Sequence, residues 1–318
     1  MLQYLSLSKN LYYVNAYHII GRVKNMQSKK LVIIISMLVI ASVFPIVTTS
    51  VAFDGSTIYV DDDGGADYTN IQDAIDAADD GDTIFVYSGT YYENLQIDKS
   101  VTLTSENKHN TVIDGNSIGN VVNVTADSVT INGFTVRNGE AWEAGIYVYD
   151  SSETSISDCI VTLNNGIGIE LDRTFRVWVS NCTISSNNQF GVCIYTSNGI
   201  RLNSRLNVVT NCVISDNDEG VFLDDTTSDF IIKNQITDNH VYGIHLAFAE
   251  DIGVYDNNLY DNNENAYFQG ILRNYWSRNY WGNSIKIGVE IIFGRVICFP
   301  WLNFDWHPVS EPYDIGGK

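Results

Sequence analysis

The chain has 318 residues, 18 Lys and Arg against 38 Asp and Glu, and only four Pro beside 24 Gly. That length allows one or two domains with a sizeable core, and the Pro and Gly content excludes a collagen-like or low-complexity chain. Five basic residues and no acidic ones fall in residues 1–53, which leaves 13 basic against 38 acidic residues and a net charge of −25 beyond them, a surface that repels phosphate backbones and excludes nucleic acid as a partner.

Residues 1–52 read as an N-terminal extension and signal peptide. Lys29 and Lys30 precede an apolar run at 31–47, LVIIISMLVIASVFPIV, and Ser50-Val51-Ala52 gives a small-x-small end. A basic flank, an apolar centre and small residues form the secretory pattern, with cleavage expected after Ala52. Met26 opens a signal peptide of ordinary length, so residues 1–25 read as an upstream extension. At 17 residues the run also sits at the short end of a spanning helix, so an uncleaved anchor is the alternative. Both readings give a secreted or cell-surface protein that meets a membrane only through this segment.

Residues 53–82 read as an N-terminal cap. DDDGGAD at 61–67 lacks the spacing of an EF-hand loop and is expected to be a turn, which leaves Ca²⁺ as the only cofactor candidate and none as the expectation. Thr69 to Asp79 has a helical pattern, with Thr69 placed to cap it and Ile71, Ala74, Ile75 and Ala78 sharing one face. A helix laid there would cover the open core and strand edge of a first coil.

Residues 83–270 are a repeat. Short strands at 84–86, 101–103, 121–124 and 129–136 lead into a regular series anchored on Gly145, Gly168, Gly191, Gly220, Gly243 and then Ala266, with steps of 23, 23, 29, 23 and 23 residues. Fourteen residues after the anchors stand Cys159, Cys182, Asn234 and Asn257, and Cys212 takes the same place after a seven-residue insertion. Two positions later come Val161, Ile184, Ile214, Ile236 and Leu259, all aliphatic. Short alternating strands with Asn, Asp and Gly corners at this period define a solenoid without helical periodicity. The expected fold is all-β, a right-handed parallel β-helix of about 23 residues per coil, with equivalent residues stacked ~4.8 Å apart.

That register sorts the side chains. Cys159, Cys182 and Cys212 are expected to point inward as a stack of small buried thiols, continued by Asn234 and Asn257 as stacked amides. Cys193 falls on the opposite phase and is expected to face out, in a column with Tyr147, Glu170, Phe222, His245 and Phe268. This column reads either as cross-strand packing of exposed aromatics or as a face for the apolar sides of sugars. Cys193 and His245, two rungs or ~10 Å apart, cannot share an ion, and no metal site is expected.

Asp172 and Asp224 share a second outward column, also ~10 Å apart, with Asp225 and His245 near. The separation is at the loose end of the ~6.5–9.5 Å that an inverting glycosidase uses, so these four are the catalytic candidates, with solvated strand-end carboxylates as the plain alternative. The insertion TSNGIRLNSRLN at 196–207 brings Arg201 and Arg205, suited to an anionic glycan or to pairing with nearby Asp, which is the expectation. Residues 271–318 hold four of the six Trp and read as an aromatic cap over the last coil.

The segment IYVDDDGGADYTNIQDAIDAADDGDTIFVYSGTYYENLQIDKSVTL resembles the opening of pectin-lyase-like right-handed β-helix proteins. Residues 145–265 resemble the repeats of the NosD-type β-helix domain, and NYWSRNYWGN and FPWLNFDWHP resemble the C-terminal end of archaeal members of that group. The resemblance implies the fold, and it includes lyases, hydrolases and proteins without known chemistry. It also implies a copper association, which the residues do not support: Met1, Met26 and Met37 all lie in the removable segment, and His109, His240, His245 and His307 form no ligand set on one rung. The Gly-His-Gly and Arg-x-Lys motifs of polygalacturonases are missing. The expected function is therefore an exported surface protein that binds polysaccharide or envelope glycan without catalysis. Polysaccharide cleavage ranks second and copper delivery third. Asn123-Val-Thr and Asn181-Cys-Thr are glycosylation sequons consistent with export.

Overall fold

The structure, a computed structural model, describes residues 55–196, 204–270, 273–282, 288–296 and 299–316. The N-terminal extension, the apolar run and Arg201 lie outside the described residues. Among the described residues no helix is long and apolar enough to cross a membrane.

From residue 55 the chain is a right-handed parallel β-helix of about ten turns, each of about 23 residues. Three stacks of strands run along it. One begins at Thr57–Val60 and continues coil by coil to Tyr275–Ser277. A second begins at Leu95–Ile97 and runs through the six-residue strands Ala144–Tyr149, Ile167–Asp172, Phe190–Tyr195, Glu219–Asp224, Tyr242–Ala247 and Glu264–Gln269. The third is an eight-stranded sheet from Gly89–Tyr91 to Asn258–Tyr260. One coil offers too little burial to hold itself, so the core is the continuous column of Ile, Val and Leu that stacking creates.

The corner between the first and third stacks explains the recurring Asp-Cys, Asn-Cys and Asp-Asn pairs. The first residue of each pair takes a left-handed backbone: Asp158, Asn181, Asn211, Lys233, Asp256 and Arg278 have φ between 52° and 60°. Asn and Asp enter that region most readily. The next residue then points inward, and Cys159, Cys182 and Cys212 are buried free thiols. Asn234, Asn257 and Asn279 continue that column. The Asn234 amide donates to Asn257 Oδ1 at 3.1 Å, and Asn257 donates to Asn279 Oδ1 at 3.0 Å.

A second amide column lies at the corner before the six-residue strands. Asn164, Asn187, Asn217, Asn239 and Asn262 each donate side chain to side chain, and each Oδ1 from Asn187 onward accepts the backbone N–H of the preceding rung. The anchor glycines pack beside it. A Cβ on Gly191 would come within 2.7 Å of the Gly220 carbonyl oxygen and 2.9 Å of the Asn217 amide, so only glycine lets the coils close to strand spacing here.

Two local expectations need correcting. The helix is Ile71–Ala77, shorter than the sequence pattern, and Thr69 does not cap it. The Glu93 carboxylate from the next coil accepts the Ile71 and Gln72 N–H groups at 2.8 and 2.9 Å, while Lys99 Nζ donates to the Ile75, Asp76 and Ala78 carbonyls at the other end. The register also slips at the last coil: Asn265, not Ala266, occupies the anchor place, so Tyr267 pairs with His245 and Phe268 turns into the core. The acidic loop at 61–67 is a turn with Gly64 and Gly65 at positive φ, and its carboxylates serve backbone donors, Asp67 accepting from Tyr59 N and Asp62 from Thr90 N.

Candidate functional site

The six-residue strands present three outward columns on one face of the solenoid. The central column is Asn123, Tyr147, Glu170, Cys193, Phe222, His245 and Tyr267 in register. On one side run Tyr149, Asp172, Tyr195, Asp224, Ala247 and Gln269. On the other run Phe190, Glu219, Tyr242 and Glu264. Parallel stacking at strand spacing leaves large side chains nowhere to go but against each other.

That crowding buries what the sequence places outside. Cys193 keeps the outward phase but is only 4% exposed, covered in an apolar cluster with Ala144 and Ile167 and flanked by Tyr147, Phe190, Tyr195 and Phe222. Burial pushes its thiol well above the usual range, helped by the charges of Glu170 and Asp224. The expectation of a solvent-facing thiol is therefore corrected.

The aromatic faces are also used up internally. Phe190 and Phe222 stack with centroids 4.8 Å apart and 18° between planes, and Tyr242 and Tyr267 do so at 5.1 Å and 17°. His245 sits between them, 4.9 Å from Phe222 and 5.0 Å from Tyr242. Its Nδ1 lies 3.0 Å from Glu219 Oε2.

The carboxylates separate into two environments. Glu170 is 9% exposed and Asp172 is buried, both on strand Ile167–Asp172. Burial holds the Glu170 carboxyl up at about 7; the Tyr195 hydroxyl bonded to it pulls down, and the charges of Asp172 and Glu143 push up. The Tyr147 hydroxyl donates to Asp172 at 3.3 Å. Asp172 and Asp224 do share a column, but Tyr195 stands between them. Burial and the Asp225 charge raise Asp224, with His245 opposing. Asp225 is exposed at a left-handed corner, φ 51°.

The arginines serve elsewhere. Arg205 lies over the Phe175 ring at 5.2 Å, a cation–π contact in place of the expected carboxylate pairing. Arg173 covers the Tyr149 ring at 4.1 Å. Of the two sequons, Asn181 is exposed, whereas the Asn123 amide is half-buried and donates to Gln96.

Beside this face, at the Asn-lined corner, opens a groove of about 410 Å³ lined by Ala141, Trp142, Asn165, Asn188, Gln189, Phe190, Asp218, Glu219 and Val241. Trp142 is 80% exposed at φ 70°, its ring the most open large apolar surface of the described residues. Asn188 donates to Asn165 at 3.2 Å, aligning the amides along the groove. Trp142 and these amides escape the period, because its fixed points fall on the Gly-anchored strand, the Cys and Asn corner and the aliphatic rung after it, not on the corner before the anchor. A signal exists in the pairs Asn164-Asn165, Asn187-Asn188 and Asn217-Asp218: the first residue of each is an inward rung, and the second is its neighbour on the groove.

A copper ion of the kind the fold resemblance implies needs converging soft or imidazole donors. Among the described residues no three His, Cys, Asp or Glu converge as ligands, and three of the four described thiols are core rungs. The described residues do not fit a copper site.

Comparison with known proteins agrees with the architecture. The carrot pectin methylesterase structure superposes with a TM-score of 0.52 at 14% identity, covering 76% of this chain and 86% of that one. The pectate lyase Pel9A superposes with a TM-score of 0.55 at 15% identity, covering 76% of each. At such identities the likeness is one of fold. No curated protein matches the sequence. Residues 75–296 match the family described as "Periplasmic copper-binding protein (NosD)", and the chain belongs to that family, within the pectin-lyase-like parallel β-helix fold.

Proposed function

We propose that the chain is an exported β-helix protein that binds glycan without cleaving it, through the groove that Trp142 overhangs. The observation that carries this reading is the open indole beside aligned amides. A sugar ring offers an apolar face to stack on an aromatic plane and hydroxyls that exchange hydrogen bonds with planar amides. The stacked bank of Phe190, Phe222, Tyr242 and Tyr267 then acts as a stiff wall, and Phe190 is its contribution to the groove. Export is supported by the secretory pattern of residues 26–52 and by the periplasmic description of the family.

A glycan array probed with wild type, Trp142→Ala and Phe222→Ala tests this. Wild type is expected to bind, and Trp142→Ala to lose about 1 kcal/mol or more, the worth of an aromatic contact. Phe222→Ala is expected to weaken binding less, through a loosened wall. Binding unaffected by Trp142→Ala would overturn the site.

One observation favours cleavage as a second reading: two buried carboxyls, Glu170 and Asp172, lie two residues apart on one strand, and burial holds the Glu170 carboxyl up at about 7, the condition of a general acid near neutrality. Long incubation with acidic and neutral polysaccharides, with and without Ca²⁺, decides it. Turnover lost in Glu170→Gln or Asp172→Asn, by ~10²–10⁴-fold, would replace the binding reading.

A further inference from the structure

The charge of the groove says which sugars it admits. Its two charged lining residues are both carboxylates, Asp218 and Glu219, and no Lys or Arg lines it. Glu219 is committed to His245 at 3.0 Å with its side chain 14% exposed. Asp218 is more than half exposed, with His240 Nδ1 at 3.5 Å and the other imidazole nitrogen 3.4 Å from Asp216. So the one histidine at the rim is already shared between two carboxylates.

Three basic side chains of the neighbouring coils are paired at other places. Arg137, closest in sequence to the groove loop, is held by Asp114 at 2.8 Å. Arg173 and Arg176 pair with Asp150 and Glu153 at the far end of the strands. The field over the groove is that of a chain with 38 acidic residues, and a concave site concentrates it.

A polyuronate brings one carboxylate per sugar. In this groove each would meet Asp218 or Glu219 with no Lys or Arg in the lining to pair with, and juxtaposed like charges reject a ligand. An ammonium group meets the reverse situation: Asp218 accepts a charge-assisted hydrogen bond from it, while Trp142 and the Asn165, Asn188 and Gln189 amides take the ring face and hydroxyls.

We propose that the groove is a subsite for amine-bearing oligosaccharides, chains of hexosamine with free ammonium groups, and that it refuses polyuronates. This rests on the glycan-binding reading of the same groove and names its ligand class. It sets the chain apart from proteins of its fold whose names refer to pectin.

The test is calorimetric titration of the full chain with three probes in mildly acidic buffer: glucosamine hexamer, N-acetylglucosamine hexamer and galacturonic acid hexamer. The glucosamine hexamer is expected to bind tightest, to weaken with added salt, and to weaken roughly tenfold or more in Asp218→Asn, the loss of one charged hydrogen bond. Trp142→Ala should weaken the same binding about fivefold or more, the worth of one aromatic contact, with melting temperatures of both variants unchanged. Trp142-dependent binding of the galacturonic acid hexamer would overturn the charge argument and leave glycan binding standing. So would preference for the N-acetylated hexamer, or glucosamine binding indifferent to Asp218→Asn. No Trp142-dependent binding of any probe would overturn the glycan reading itself.

Discussion

Asp229 shows how much one residue in this fold can bias. It lies fully buried in an interior column of amides, apolar groups and the Thr154 hydroxyl, where Asn207 N donates to its Oδ1 at 2.8 Å. Its Oδ2 has no partner. The equivalent Asn274, two coils further on and one beyond Ile252, uses its amide nitrogen to reach the Ala249 carbonyl at 3.0 Å, a bond an ionised carboxylate cannot make. Burial raises Asp229 to about 7, against the backbone bond from Asn207. The sign follows from that raised value. The unfolded chain releases this proton near pH 4 and the folded chain holds it to about 7, so stability is lost as pH rises across that window and stays low above it. Three pH units at 1.36 kcal/mol each set an upper scale of ~4 kcal/mol. Asp229→Asn is expected to remove this contribution: chemical denaturation from acid to alkaline pH should show the variant more stable than wild type above neutrality by a few kcal/mol, converging below pH 4. Equal stability at alkaline pH would mean that water or relaxation already satisfies the carboxylate. Glu170 and Asp224, also raised, tilt both proteins alike and cancel in the comparison.

At the scale of one coil, the repeat decides what the sequence reveals. The anchor glycines, the aliphatic rungs and the Cys and Asn columns are legible because each fills a place where only a narrow set of side chains fits, so the period shows through the variation. The groove is less legible. The backbone of the Trp142 loop packs against Gly166 of the next coil, but the side chain is 80% exposed, so the repeat leaves its identity open. The slip at Asn265 escapes for a related reason: a lone Gly-to-Asn replacement hides the anchor, and Ala266 offers a plausible false register one residue away. Burial of Cys193 is hidden too, because alternation assigns a side but not the bulk of the neighbours on it. The anchors themselves give a sharp test. Gly191→Ala forces a methyl to 2.7 Å from both the Gly220 carbonyl and Ile214, so the coils must part; a loss of ~1–3 kcal/mol is expected, as for overpacked cores. Gly65→Ala meets no atom within 4 Å but sits at φ 99°, and should cost about 1 kcal/mol from backbone strain alone. Thermal melts of both, with amide exchange on the Asn187 and Asn217 backbones, separate the causes. Faster exchange only in Gly191→Ala is expected, because the clash opens the amide column that those backbones share.

For the whole solenoid the problem is the end. The aromatic residues of 271–318 divide into two sets. Trp276 and Trp281 are buried with rings 5.9 Å apart, and Asp305 closes the amide column by accepting Asn279 N, the Asn279 amide and Trp281 Nε1. Ile292 adds to the core from an antiparallel hairpin, Glu290–Val296 with Phe299–Asp305, whose first strand extends the sheet of the groove face at Phe268 and Gln269. Phe293, Phe299, Trp301 and Trp306 remain about half to two-thirds exposed on the outside. The inner part is what ends the repeat: the hairpin lays Gly294 against Phe268, and Asp305 supplies the last acceptor to a ladder that otherwise finishes in bare N–H groups. In a chain whose repeats contact only their neighbours, loss of the terminal unit exposes the next core layer and a free strand edge. Deleting residues 283–318 is therefore expected to give a protein that aggregates through that edge and melts at a lower temperature, while replacing Phe293 and Phe299 by Ser in the intact chain leaves the melting temperature nearly unchanged, since neither ring is packed. Light scattering and thermal unfolding on both check the division. A truncated chain that stays monomeric and unfolds cooperatively at the wild-type temperature would show that the coils from Thr57 to Ser277 hold together without the hairpin, and that Asp305 closes a column already stable without it.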